Sequence, residues 1–205
     1  MKKICLFSLT LLLLLFTQKN LKAQEKKNVI KLSPLSLIVL TGNVQYERIL
    51  SNKLSLNLGL YYGGLELQLA TENTSQKYKF SWAGITPELR YYLTGQGAPD
   101  GLYTAPYLRF RRMGIKWQQK EDDPFGDPYV SDVKLRFLSA GFGGMIGYQA
   151  LLGEIVTLDT YLGVGYNFTE AKVIYNTAGT PLEILELVDF QGLALRPGFT
   201  IGIAF

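Results

Sequence analysis

The sequence predicts an all-β protein: an eight-stranded antiparallel up-and-down transmembrane β-barrel with a polar lumen filled by side chains. Three observations lead there. First, Gly192 to Phe205 alternates without a break. Leu193, Leu195, Pro197, Phe199, Ile201, Ile203 and Phe205 share one parity; Gly192, Ala194, Arg196, Gly198, Thr200, Gly202 and Ala204 share the other. A two-residue period marks a strand, and this one is long enough to cross a bilayer when tilted. Second, similar alternating segments recur along the chain, separated by polar breaks. Third, the polar parity is compact and glycine-rich, which suits the crowded interior of a narrow barrel better than a solvated face.

Met1 to Ala23 reads as an export signal peptide, leaving 24–205 as the barrel domain. Lys2 and Lys3 open it, Ile4 to Phe16 is its apolar core, and Leu21-Lys22-Ala23 precedes Gln24 as a cleavage site. The apolar run is short for a membrane helix; the alternative is an uncleaved anchor. The segment carries Lys2, Lys3, Lys19 and Lys22 and no acid, so its removal takes the 21 basic residues down to parity with the 17 acidic ones. The basic balance therefore belongs to the signal and implies no nucleic-acid partner. Cys5 leaves with it, so the mature chain has no disulfide.

Eight strands follow. Strand one is about Asn28 to Val39. Thr41-Gly42 reads as a turn, and strand two is Asn43 to Leu50. After the tight turn Ser51-Asn52-Lys53 comes strand three, Leu54 to about Gln68, then a polar loop from Thr71 to Lys77. Strand four is Tyr78 to Leu93, and Thr94 to Gly101 is a glycine-rich turn. Strand five is Leu102 to Trp117, followed by an acidic loop, Gln118 to Asp132. Strand six is Val133 to Gln149, and Leu151 to Glu154 turns the chain. Strand seven is Ile155 to Thr169, and the longest loop, Lys172 to Asp189, leads to strand eight. Short connections alternate with long polar ones, the first connection excepted. An even strand count puts both termini beside the short turns, the periplasmic side in outer-membrane barrels, with the long loops outside the cell.

Mid-strand charges fall on the polar parity. Glu47, Glu88, Arg90, Arg109, Asp159 and Arg196, with Arg111 as a further candidate, read as an ion-pair network inside the barrel. Its plain role is a plug of salt bridges; its functional alternative is a proton or ion path. Most lysines sit in loops or near strand ends. Tyr61, Tyr62, Tyr91, Tyr92, Tyr103, Trp117, Tyr148, Tyr166 and Phe168 gather near strand ends, where those of outward parity would form interfacial girdles. Pro34, Pro87, Pro106 and Pro197 lie inside proposed strands and each removes a ladder donor. Parity also slips near Pro34, Ala83-Gly84, Arg111-Arg112 and Phe137-Leu138, as bulges would cause. Nothing in the sequence compensates Pro197.

The segments Pro87-Glu88-Leu89-Arg90-Tyr91-Tyr92, Gln45-Tyr46-Glu47-Arg48 and Leu54 to Gly59 look like segments of an uncharacterised, export-signalled barrel family, a domain of unknown function. From about Asn28 to Phe205 the chain resembles the small outer-membrane β-barrel proteins of Gram-negative bacteria. Phe199, Ile201, Ile203 and the terminal Phe205 are similar to the signal that barrel-assembly machinery reads. The resemblance implies a fold and an outer-membrane location, with membrane lipid and that machinery as partners. It carries no catalytic residues.

Histidine is absent from the whole chain, so no histidine-dependent triad or Cys/His zinc site can be written for the mature protein. Gly141 to Gly147 superficially suggests a phosphate loop, but no Gly-Lys-Ser/Thr follows. The acidic run Glu121 to Asp127 lacks EF-hand spacing and reads as a solvated loop. Pro181 to Phe190 is an unusually apolar loop that would cap the barrel mouth, pack in a hairpin or touch a partner. The expectation is a non-enzymatic structural or surface-interaction protein of the outer membrane, without cofactor or metal, whose outer loops meet an extracellular partner. The alternative is a narrow channel or transport accessory using the charged lumen.

Overall fold

The computed structural model describes residues 26–71, 74–95, 97–122, 128–176 and 191–205. The predicted signal peptide, the apolar loop Pro181–Phe190 and most of the acidic run lie outside them. Among the described residues the strands are β1 Asn28–Leu32, β2 Thr41–Ser51, β3 Leu54–Thr71, β4 Thr74–Tyr92, β5 Gly101–Asp122, β6 Pro128–Leu152, β7 Val156–Asn176 and β8 Gly192–Ala204, with one short helix, α1 Pro34–Ile38. Each strand pairs antiparallel with the next and β8 returns to β1, so the sheet closes as an eight-stranded up-and-down barrel. Closure leaves no edge along most of the wall, which suits a sheet whose outside is lipid.

Several boundaries differ from the alternation-based expectation. Strand one stops at Leu32, because Pro34 opens the single turn of α1. Proline lacks the donor a ladder needs, while its fixed φ suits the first turn of a helix. Thr41-Gly42 is not a turn: Leu40, with φ 53°, makes the bend, and Thr41 and Gly42 already pair with Gly63 and Tyr62. The polar stretches Thr71–Lys77 and Gln118–Asp132 are largely strand, since pairing runs up to Thr71 opposite Thr74 and Asp122 opposite Pro128. The start of Lys172–Asp189 likewise continues β7 to Asn176. Polar composition there signals water outside the sheet, not an end to the ladder.

Pro87 and Pro106 both fall where the β4–β5 ladder is interrupted, between Ile85–Phe110 and Glu88–Tyr107 and between Glu88–Tyr107 and Tyr91–Thr104. Pro197 sits on a seam. β8 meets β1 only from Ala204 to Ile201, so Gly192–Thr200 is paired on its β7 side alone. The Phe199 carbonyl accepts from Ser33 Oγ at 3.0 Å and the Phe205 N–H reaches Asn28, so odd residues of β8 direct their backbone groups toward β1. The missing N–H of Pro197 therefore faces the unpaired edge, where no ladder bond is lost. α1 lies across this seam above a groove of about 800 Å³ lined by Leu32, Leu37, Val156, Ile201 and Ile203.

The parity slips at Ala83-Gly84, Arg111-Arg112 and Phe137-Leu138 are not bulges, since the β4–β5 and β5–β6 registers run through them unshifted. Register shifts fall instead at Ile49/Ser51 and Lys134/Leu135. What changes is the chemistry of the two faces. Toward the termini, Leu60, Ile85, Phe110 and Phe142 stand exposed outside while Glu88 and Arg90 are buried inside. Toward the long connections, Leu135 and Phe137 are buried against Met113, Ile115 and Trp117, and the opposite parity carries Glu66, Lys79, Lys116, Lys134 and Glu170.

The outward aromatics mark two levels. Tyr91 and Tyr148 are exposed near the short turns, and Tyr62, Tyr166 and Phe168 at the level of the polarity change. Tyr62 pairs with Ala83, eight residues before Tyr91 on β4. That is roughly 27 Å of strand and about 20 Å along the axis of a tilted barrel, close to the apolar band of membrane barrels. Tyr61, Tyr92, Tyr103 and Trp117, of the opposite parity, face inward and take no part in the girdles.

Candidate functional site

All eight strands send a side chain into one buried cluster near the terminal end of the lumen. Three cations (Lys31 of β1, Arg90 of β4, Arg196 of β8) meet three anions (Glu47 of β2, Glu88 of β4, Asp159 of β7), all buried. Arg90 is the hub. Its Nη1 donates to Asp159 Oδ2 at 2.7 Å, and its Nε and Nη2 both donate to Glu88 Oε2, at 3.0 and 2.8 Å. Arg196 Nη2 reaches the other Glu88 oxygen at 2.5 Å. Lys31 Nζ lies 2.6 Å from Glu47 Oε2 and 3.1 Å from Asp159 Oδ2.

Neutral groups add further hydrogen bonds to the ions. Gln149 of β6 accepts from Lys31 at 2.6 Å and from Arg90 at 3.0 Å. Tyr92 and Tyr103, the latter from β5, donate to Glu47 at 2.7 Å and Asp159 at 2.8 Å. Asn57 of β3 donates to Glu88 and Gln45, and Ser55 donates to Glu47. The guanidinium of Arg90 lies 4.5 Å over the Tyr103 ring, and that of Arg196 lies 5.0 and 4.9 Å from the rings of Tyr107 and Tyr161. A buried ion pair survives desolvation only when its other lone pairs and protons are also satisfied, and here charges balance three against three.

Glycines make room for the tyrosines. A Cβ at Gly198 would run into the Tyr161 ring, and one at Gly143 would meet Tyr107 at 2.6 Å. The small residues of one strand thus seat the rings of its neighbours, closing the lumen around the ions.

Of the residues singled out from sequence, Glu47, Glu88, Arg90, Asp159 and Arg196 come together. Arg109 does not join them. It lies further along β5, opposite Gly141, and its guanidinium stands 5.7 Å over Tyr61. Glu88 is already held by Arg90, Arg196 and Asn57, and no ion pair among the described residues links it to Arg109. Sequence reasoning missed Lys31, grouping lysines with loops and strand ends. The signal was present: Lys31 alternates with the outward Ile30 and Leu32 and shares the parity of Val29. Gln45, Asn57, Tyr92 and Tyr103 carry the same polar parity and complete the cluster. Of the terminal residues, Ile201, Ile203 and Phe205 are exposed on the outer face and Phe199 is half-buried.

A lumen crossed by a neutral ionic cluster and a wall apolar on the outside define a small β-barrel of membrane type with a filled interior. The chain belongs to the family described as protein of unknown function (DUF3575), whose model matches residues 8–184. No curated protein matches it. Among solved structures it is similar to CarO of Acinetobacter baumannii, at 10% identity and TM-score 0.46, covering 91% of this chain and 99% of that one. It is also similar to a major outer membrane protein from Thermus thermophilus, at 13% identity and TM-score 0.45, covering 87% of this chain and 98% of that one. A third similar structure, CarO2 of A. baumannii, has 10% identity and TM-score 0.40, covering 87% of this chain and 96% of that one.

Proposed function

We propose that the protein is a non-enzymatic outer-membrane β-barrel whose ionic cluster is a structural plug, and whose β3–β4, β5–β6 and β7–β8 connections are displayed outside the cell. The carrying observation is the cluster itself: every strand contributes to it, and Arg90, Glu47, Glu88 and Asp159 are at most 1% exposed. A permeation path needs charged groups that meet water and exchange partners; these are buried and held by several bonds each. The apolar outer band supports membrane lipid as the surrounding medium. Asn28 and Phe205, the ends of the described barrel, lie together at the short-turn end, which the proposal places in the periplasm, and Met1–Ala23 serves as the export signal. The alternating outward residues Ile201, Ile203 and Phe205 are offered to barrel-assembly machinery, and the long connections to an extracellular partner.

The test is single-channel recording of purified protein in planar bilayers. The plug predicts no steady conductance for the native chain, with fluctuating leak appearing only when Arg90→Ala loosens the cluster. A steady, ion-selective native conductance that Glu88→Ala or Arg90→Ala re-tunes without loss of folding would assign the narrow channel instead.

A further inference from the structure

Above the plug, the inward parity of β5 changes character along its length. It reads Arg109, Arg111, Met113, Ile115, Trp117: two cations, then an apolar rail. Strand pairing sets Trp82 beside Met113, with Phe137 on its other side. Met113, Ile115 and Trp117 remain partly exposed, and Leu65 and Leu67 on β3 are more so, at 36% and 45%.

The base of this wall holds polar capacity that the protein does not use. Among the described residues, neither Arg109 nor Arg111 forms an ion pair with a carboxylate. Arg109 Nε is buried without a hydrogen-bond partner, and so is the Tyr61 hydroxyl beside it. Two like charges and two unpaired donors at the foot of an apolar wall are costly unless an anion meets them. The plug beneath is neutral as a set and offers none. Six residues of strand separate Arg111 from Trp117, about 20 Å, which is the reach of a long acyl chain.

We infer that the upper inner wall is a binding site for a single-chain anionic amphiphile. Arg109 and Arg111, with the Tyr61 hydroxyl, receive the carboxylate or phosphate head, and Trp82, Met113, Ile115 and Trp117 receive the chain. The headgroup bonds are charge-assisted, and the chain replaces water on a face that is apolar while its surroundings outside are aqueous. The site stands above the plug and does not depend on the plug being sealed.

The chain's two tryptophans, Trp82 and Trp117, both lie on this wall, so their fluorescence reports the site directly. The experiment titrates the full-length mature protein, in nanodiscs of zwitterionic lipid, with dibrominated stearate, dibrominated stearyl phosphate or dibrominated stearyl alcohol. Phosphatidylcholine brominated on its acyl chains serves as the bilayer-resident quencher. Saturable quenching by the two anions, with the alcohol at least tenfold weaker and the brominated phospholipid nearly silent, is the expected result. Which anion is tighter identifies the headgroup. Arg109→Gln with Arg111→Gln should raise the half-saturating concentration about tenfold or more, while Arg109→Lys with Arg111→Lys retains most binding. Ile115→Asp, which leaves both cations in place, should also abolish saturation and is read where the glutamine pair fails to give a heat-modifiable, folded band. Equal quenching by alcohol and anion, unsaturable quenching, or indifference to both the glutamine and aspartate changes would overturn the inference. Bilayer conductance plays no part in this readout, so failure here and failure of the plug are separable.

Discussion

The lower and upper halves of this barrel are built from the same strands and the same alternation, with opposite polarity. Near the short turns, Phe142 and Leu162 are more than half exposed outside while Arg90 and Asp159 are fully buried. Past the Tyr62–Phe168 girdle, Phe137 and Leu135 are buried inside, and Lys79 and Glu66 are solvated outside at 62% and 47%. A strand requires only that successive side chains point to opposite faces. Which face is apolar is decided by the medium on the outside: lipid demands grease outward, water demands it inward. The reversal along single continuous strands therefore locates the membrane boundary within the protein.

Substitutions that respect one half should be costly in the other. Arg90→Leu leaves Glu47, Glu88 and Asp159 buried with too few partners; removing one member of a buried pair costs about 3–5 kcal/mol. Urea-titrated folding into detergent micelles, read by heat-modifiable gel migration, should show the lost stability. Next in size is Phe142→Arg on the lipid-facing band, at about 2–4 kcal/mol. Lys79→Arg on the outer face of the upper half should leave the same midpoint unchanged. Gly198→Val drives a side chain into Tyr161, an overpacking cost of about 1–3 kcal/mol; adding Tyr161→Ala should restore part of it in a double-mutant cycle. Smallest is Glu66→Gln, which removes the surface pair with Lys77 at 2.7 Å. Solvent screening leaves such exposed pairs near zero, so no shift in the folding midpoint is expected.

The closed barrel was legible because alternation survives even where composition changes. β8 and the short turns around Asn52 and Gly153 fall where the pattern puts them. The charge cluster was legible to the extent that arginine and carboxylate stand out among glycines; Lys31 was hidden because lysine is usually a surface residue. Arg109 shares the parity of the cluster, yet parity says nothing of height along the barrel, and among the described residues no carboxylate forms an ion pair with it. The apparent slips at Arg111-Arg112 and Phe137-Leu138 mislead for a deeper reason. A one-residue shift of the backbone and an inversion of solvent give the same change in hydrophobic pattern, and only the register separates them. Polar composition beyond Trp117 and Thr71 marks the end of the lipid, and the ladder continues past it.

The polarity reversal can be measured without ambiguity because residues 24–205 hold no native cysteine to compete for label. Single cysteines carrying a nitroxide at the outward positions Leu60, Phe110, Phe142 and Lys79, Lys116, Lys134 would be placed in liposomes and relaxed by oxygen and by a polar nickel chelate. The account predicts that the first three collide mainly with oxygen and the second three mainly with nickel, with the crossover between Phe110 and Lys116 on β5. Oxygen-dominated relaxation at Lys79 and Lys116, or nickel access at Phe110 and Phe142, would contradict it.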